Sequence, residues 1–326
     1  MDGMDATGPR DANDSDVAAR ARRIGELQRG PTWYADERAI RDIFLATTGD
    51  ALAALKDAID SGTSYRDLHQ LVFHDIDDGA IRAEILAHFR AEAAARSTYG
   101  FKTLSDIDDT FYANWKDRRY PKKTVYPGVI AFYRALGGGL VFVSARPGDR
   151  GGLVESAALA SLRKRGIDKC TVLCGAFSHL VGNDRIAAQK YENFVQFHAL
   201  YPDHRFVFIG DSGQGDIAFG EKLLAHPSES VRAVFIHDVV ATPEPRRREL
   251  GDRRIHLFDT YTGAAVAAHA CGVLAAEEML PVARAATDEM ARIPFSSNAQ
   301  RAARLADLAN DIARMNALLP ASHHFI

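Results

Sequence analysis

Phe206-Val207-Phe208-Ile209-Gly210-Asp211-Ser212-Gly213-Gln214-Gly215-Asp216 decides the fold. Four consecutive apolar residues of aromatic and β-branched type suit a strand covered on both faces; a strand with one wet face would alternate. The run breaks at a glycine-rich acidic turn. Leu140-Val141-Phe142-Val143, followed by Ser144-Ala145-Arg146-Pro147, repeats the design upstream. Apolar runs at 101–106, 139–144, 170–174, 205–210 and 231–236 alternate with helical stretches such as Gly128 to Leu136 and Leu153 to Arg165. Repeated strand–helix alternation predicts an α/β fold with a doubly wound parallel sheet.

Helical periodicity flanks this block. Before it, Leu52, Leu55 and Ile59 share a face of one helix, and Ile81, Ile85, Leu86 and Phe89 form a stripe on another. Residues 1–30 are polar and read as an unpacked arm. The predicted organisation is an arm (1–30), a helical region (31–98), a catalytic α/β domain (99–262) and C-terminal helices packing on it (263–326). Ala264 to Ala276 is too short to span a bilayer, which needs about 20 apolar residues, and reads as a small-residue buried helix. Composition agrees with a soluble, cytoplasmic protein: 47% hydrophobic, 25% charged, net charge −3 and three scattered cysteines, read as free thiols. That charge gives no whole-molecule field for nucleic acid, so any anion site is local.

In an open parallel sheet, ligands bind beyond the carboxyl ends of the strands. Three runs end in reactive groups: Asp106-Ile107-Asp108-Asp109-Thr110, then Ser144, then Asp211 with Asp216. Lys190 lies between the third and fourth runs, with Arg185 as the alternative cation. Phosphoryl transfer through an aspartate wants this set. One carboxylate attacks phosphorus, and a second, two residues on along an extended segment, serves as acid and base. Further carboxylates hold Mg²⁺, a hard cation, while a hydroxyl and a lysine take the phosphate oxygens. A second copy of the tetrapeptide, Asp75-Ile76-Asp77-Asp78, sits in a helical setting before Gly79 and reads as a helix boundary.

Asp-x-Asp-x-Thr, a strand-end Ser, a Lys and Gly-Asp-(x4)-Asp, in that order, resemble the haloacid dehalogenase superfamily of aspartyl phosphatases. Leu104-Ser105-Asp106-Ile107-Asp108-Asp109-Thr110, Tyr120-Pro121-Lys122-Lys123-Thr124, Tyr126-Pro127-Gly128, Ser144-Ala145-Arg146-Pro147 and Gly210 to Asp216 resemble, more narrowly, the catalytic domain of actin-patch-type phosphatidate phosphatases. The resemblance covers about residues 100–265. It implies a Rossmann-like catalytic domain without a large cap and Mg²⁺-dependent hydrolysis of phosphatidate. It implies Asp106 as nucleophile, Asp108 as acid/base, Ser144 and Lys190 on the phosphate, and Asp211 and Asp216 on the Mg²⁺ side. Asp106 and Asp108 are also expected in the metal set, and Thr110, Arg146, Lys122 and Lys123 around the substrate.

About thirty residues separate the first motif from the second strand, too few for a cap domain, so the site should be open. The insert mixes Phe111, Tyr112, Trp115 and Tyr120 with Lys116, Arg118, Arg119, Lys122 and Lys123. It is read either as a basic loop steering a phosphomonoester or as a face for a phospholipid membrane. Two other functions stay open: an esterase using Ser212, which lacks an identifiable base, and a non-catalytic phospholipid- or phosphoprotein-binding module.

Overall fold

The computed structural model describes residues 9–60, 67–147, 153–175 and 182–325. In chain order, α1 (Pro9–Leu27), α2 (Tyr34–Leu45), α3 (Gly49–Asp60), α4 (Leu68–Gln70) and α5 (Gly79–Ala94) precede the sheet. Then come β1 (Gly100–Ser105), α6 (Val129–Leu136), β2 (Gly139–Pro147), α7 (Leu153–Arg163), β3 (Thr171–Gly175), α8 (Asn183–Leu200) and β4 (His204–Asp211). The chain continues through α9 (Asp216–Leu224), β5 (Val231–His237), α10 (Glu244–Asp252) and β6 (Ile255–Phe258) to α11 (Tyr261–Ala270), α12 (Met279–Met290) and α13 (Asn298–Asn316).

All six strands are parallel, in the order β3-β2-β1-β4-β5-β6. The expected doubly wound α/β architecture is therefore present. The apolar runs behave as strands buried on both faces. Phe206 and Phe208 join Leu104, Val141, Val143 and Ile236 in one hydrophobic cluster; Val207 and Ile209 join Phe142, Val172 and Phe235 in the other. α8 and the N-terminal helices fill the first layer, and α6, α7 and α11–α13 fill the second. Among the described residues no helix is long and apolar enough to cross a membrane.

Residues 9–27 correct the reading of an unpacked arm. They form α1, which buries Val17, Ile24 and Leu27 and ties Arg20 to the Thr47 hydroxyl at 2.5 Å. The three apolar residues keep helical spacing, but they are too few among polar neighbours to stand out as a stripe. Asp78 caps α5 by accepting from Ala80 N at 2.7 Å and Ile81 N at 3.0 Å, so the duplicate acidic tetrapeptide is a helix start.

Candidate active site

After β1 the chain steps out to β2 and β3, and α8 then returns it to β4 on the other side of β1. The carboxyl ends of β1 and β4 thus flank a topological switch point, where open α/β sheets make their crevice. Asp106 follows β1, and its N–H donates to Ile209 O on β4 at 2.9 Å. Asp211 ends β4, and Asp216 opens α9. Oxygens of Asp106, Asp211 and Asp216 lie within 4.8 Å of one another, all three residues buried. Gly210 permits this approach, since a Cβ there would stand 2.7 Å from the Asp216 side chain.

Lys190 holds the cluster together. Ala187, Lys190, Phe194 and Phe197 occupy the buried stripe of α8, so the lysine sits at a core position. Its ammonium donates to Asp106 Oδ1 and Asp216 Oδ1, each at 2.6 Å. Asp216 Oδ2 accepts from Asp211 N at 3.1 Å, and Asp211 Oδ1 accepts from Gly213 N at 2.7 Å. Asp106 Oδ2 is buried and has no hydrogen-bond partner among the described residues. Burial pushes the Asp106 carboxyl up to about 7 against the pull of Lys190, with Asp216 adding to the rise. Burial and the neighbouring carboxylates likewise raise Asp211, whereas the two carboxylates keep Lys190 charged above the usual lysine range despite its burial. Arg185, the alternative cation, is exposed.

Asp108 lies outside this group of three. Its carboxylate accepts from Asn114 Nδ2 at 2.7 Å, fixed from the insert instead. Asp109 takes φ +60°, and its carboxylate accepts from the N–H groups of Asn114 at 2.7 Å, Trp115 at 3.0 Å and Lys116 at 2.6 Å. One side chain therefore folds the start of the insert. Tyr261 OH donates to Thr110 O at 2.6 Å, while the Thr110 hydroxyl is buried without a partner among the described residues.

His237, at the tip of β5, completes the frame. Arg119 can only donate, so His237 Nε2 accepts from it at 3.1 Å, and Nδ1–H donates to Asp109 O at 3.0 Å. Burial first, then the Arg119 charge, lowers the imidazole to about 4. Asp117 accepts from Arg119 and from Tyr126 OH; its burial would raise its carboxyl, but the Arg119 contacts outweigh that and hold it below the usual range. Asn114, Asp109 and His237 are framework residues the sequence reading did not single out. The strand-tip rule applied to 231–236 would have reached His237.

Ser144 ends its apolar run on β2 and is buried. The Arg146 side chain lies outside the described residues. Lys122 Nζ stands 5.7 Å from the Trp115 ring centre and Lys123 Nζ 4.6 Å from that of Tyr112, both over aromatic rings of the insert. Ser212 is committed to its turn: its hydroxyl donates to Asp238 Oδ1 at 2.8 Å and accepts from Val239 N at 2.9 Å.

A cavity of about 860 Å³ lies at the opposite edge of the sheet, lined by Asp57, Asp60, Lys102 and the Gly137–Gly139 turn. It is the wrong end for strand-tip chemistry, because it sits where β1, β2 and β4 begin.

Fold and edge together define the class: a Rossmann-type α/β protein whose switch-point crevice gathers three buried carboxylates around one lysine. Residues 101–238 match the family model described as "Phosphatidate phosphatase APP1, catalytic domain". The family resemblance read from the motifs thus holds over this segment, and with it a hydrolase family of lipid metabolism. No curated protein matches the chain. A solved structure of FtsY from Mycoplasma mycoides aligns with 69% of this chain and 80% of its own, at 9% identity and a TM-score of 0.18, too low to bear on the fold.

Proposed function

We propose that the chain is a Mg²⁺-dependent phosphomonoester hydrolase of the haloacid dehalogenase type that converts phosphatidate to diacylglycerol and phosphate through an aspartyl-phosphate on Asp106. The observation that carries this is Asp106 itself: one carboxylate oxygen bound by Lys190, the other buried without a partner among the described residues, at a switch-point crevice. The match to a phosphatidate phosphatase catalytic domain supports the substrate.

The residues fit a hard divalent cation. Three oxygen-donor carboxylates converge, the donor set that a hard divalent cation takes. Asp106, Asp211 and Asp216 would hold Mg²⁺, which supplies charge to offset repulsion between an anionic nucleophile and an anionic substrate. Asp106 Oδ2 attacks phosphorus, and the bond to the glycerol oxygen breaks as Asp108, positioned by Asn114, gives that oxygen a proton. Asp108 then takes a proton from water. The resulting hydroxide attacks phosphorus, the Asp106–phosphorus bond breaks, and phosphate leaves. Lys190 and Ser144 steady the phosphate oxygens through both steps.

The test measures release of phosphate from an aryl phosphate and from phosphatidate in mixed micelles. Activity should need Mg²⁺, disappear with Asp106→Asn and persist with Ser212→Ala. Turnover that survives EDTA and Asp106→Asn but dies with Ser212→Ala would replace this reading with a serine esterase. Failure to hydrolyse any phosphomonoester in a broad panel would replace it with a binding module.

A further inference from the structure

We propose that the insert between β1 and α6 docks the catalytic edge on an anionic lipid surface, with Trp115 seated at the interface and Lys116, Arg118 and Lys122 over the headgroups. This rests on the phosphatidate reading and names the partner of that same site.

Trp115 is 61% exposed, an unusual cost for the largest apolar side chain. Its exposure does not come from a loose loop. The Asp109 carboxylate holds the backbone of Asn114, Trp115 and Lys116, and Gln300 of α13 donates to Arg118 O at 2.9 Å. The indole is thus presented by a fixed frame. Lys116, Arg118 and Lys122 are exposed around it, while the acid of the segment, Asp117, is buried against Arg119. The face is therefore cationic with an aromatic centre, the composition that suits a headgroup boundary.

The face also borders the chemistry. Asn114 touches Asp108, and the Lys116 side chain lies across Gly213, whose Cβ position is 2.8 Å from Lys116 Cγ, on the loop that carries Asp211. A groove of about 430 Å³ lined by Trp115, Arg118, Tyr120, Lys122 and Pro294 runs beside it. A bilayer resting on Trp115 would meet the site from its open side, and a lipid phosphate would have little distance to rise.

The experiment uses the full chain carrying Trp33→Phe, which leaves Trp115 as the sole tryptophan of the two. Emission and sedimentation are recorded with phosphatidylcholine vesicles, with and without phosphatidylglycerol. Trp115 emission should shift to the blue only with the anionic vesicles. Lys116→Gln and Arg118→Gln should each lower the partition coefficient about fivefold, the equivalent of roughly 1 kcal/mol per cation. Neither readout needs turnover, so vesicle binding by a chain that hydrolyses nothing would uphold the docking face while removing the phosphatase reading. An active enzyme whose Trp115 emission ignores anionic vesicles would overturn the docking face alone. Retention on soluble polyglutamate without vesicle binding would assign the face to an acidic protein and likewise overturn it.

Discussion

Replacing Lys190 by methionine removes the positive charge that bridges Asp106 and Asp216 while keeping the volume of the α8 core position. The three carboxylates lie within 4.8 Å of one another, so each ionised pair then repels by about 3.5 kcal/mol or more at an effective dielectric of about 20. Protonating one carboxylate relieves two of the three pairs, roughly 7 kcal/mol, which exceeds the cost of taking up that proton, for an ordinary aspartate at pH 8 about 5–6 kcal/mol. The variant should therefore fold with one more proton than the parent. Its net loss should be about 3–5 kcal/mol near pH 8, the usual result of stripping one partner from a buried pair. For a chain of 326 residues, about 0.7 kcal/mol per degree converts this to a fall in Tm of about 4–7 °C. The extra proton makes the deficit grow by about 1.4 kcal/mol per pH unit above pH 7. Below that the parent protonates too, because its own Asp106 sits at about 7. Denaturant titration of both proteins in EDTA, from pH 6 to 9, measures the deficit, and added Mg²⁺ should narrow it. Equal stability at pH 8.5, or a deficit independent of pH, would refute the charge argument.

Other expectations follow from the frame around the cluster. His237 stays neutral because burial and Arg119 lower it to about 4, against an unfolded value of about 6.5. The unfolded chain binds its proton first, so this stabilisation is complete above about pH 6.5 and is lost as pH falls through 4. The loss is worth up to about 3 kcal/mol; guanidinium midpoints measured across that window should fall less steeply for His237→Gln. Gly215→Ala would place a Cβ 2.5 Å from Asn183 O, a backbone atom at the start of α8. Relief requires α8 and α9 to move apart, so stability should fall by about 1–3 kcal/mol and turnover with it. A variant matching the parent in both respects would show that this packing does not set the position of Lys190.

What could be read from the sequence depended on how far each role is local. β1, with Lys102, Thr103 and Ser105, is marked by the acidic turn that follows it, whereas β2, β4 and β5 announce themselves because strands buried on both faces need apolar runs. β6 does not: it is four residues long, half of them only partly buried, and follows Arg253-Arg254. Lys190 was legible as the cation between two strands, and the structure adds that it occupies the stripe of Ala187, Phe194 and Phe197. Asp108 was legible as the second carboxylate of its motif, but its partner Asn114, six residues on across a turn, was not. Asp109 acts through a left-handed backbone and neighbouring N–H groups, which no side-chain pattern records. The N-terminal helix was hidden because tertiary burial, and not its own amphipathic contrast, makes it fold.

The stretch that matches the phosphatidate phosphatase domain, 101–238, is not a detachable module in this chain. On one side Phe194 and Phe197 of α8 share their cluster with Ile85 and Phe89 of α5, and His69 is bonded to Gln196 at 2.9 Å. On the other side Glu289 of α12 accepts from Gly128 N at 2.8 Å, and Tyr261 of α11 holds the main chain at Thr110. Cutting the chain at those borders would bare both sides of the sheet and leave the helix that carries Lys190 without its backing. The flanking helices are in that sense part of the frame that holds the carboxylate cluster, and sequence change in them can reach the crevice without touching a single residue that lines it.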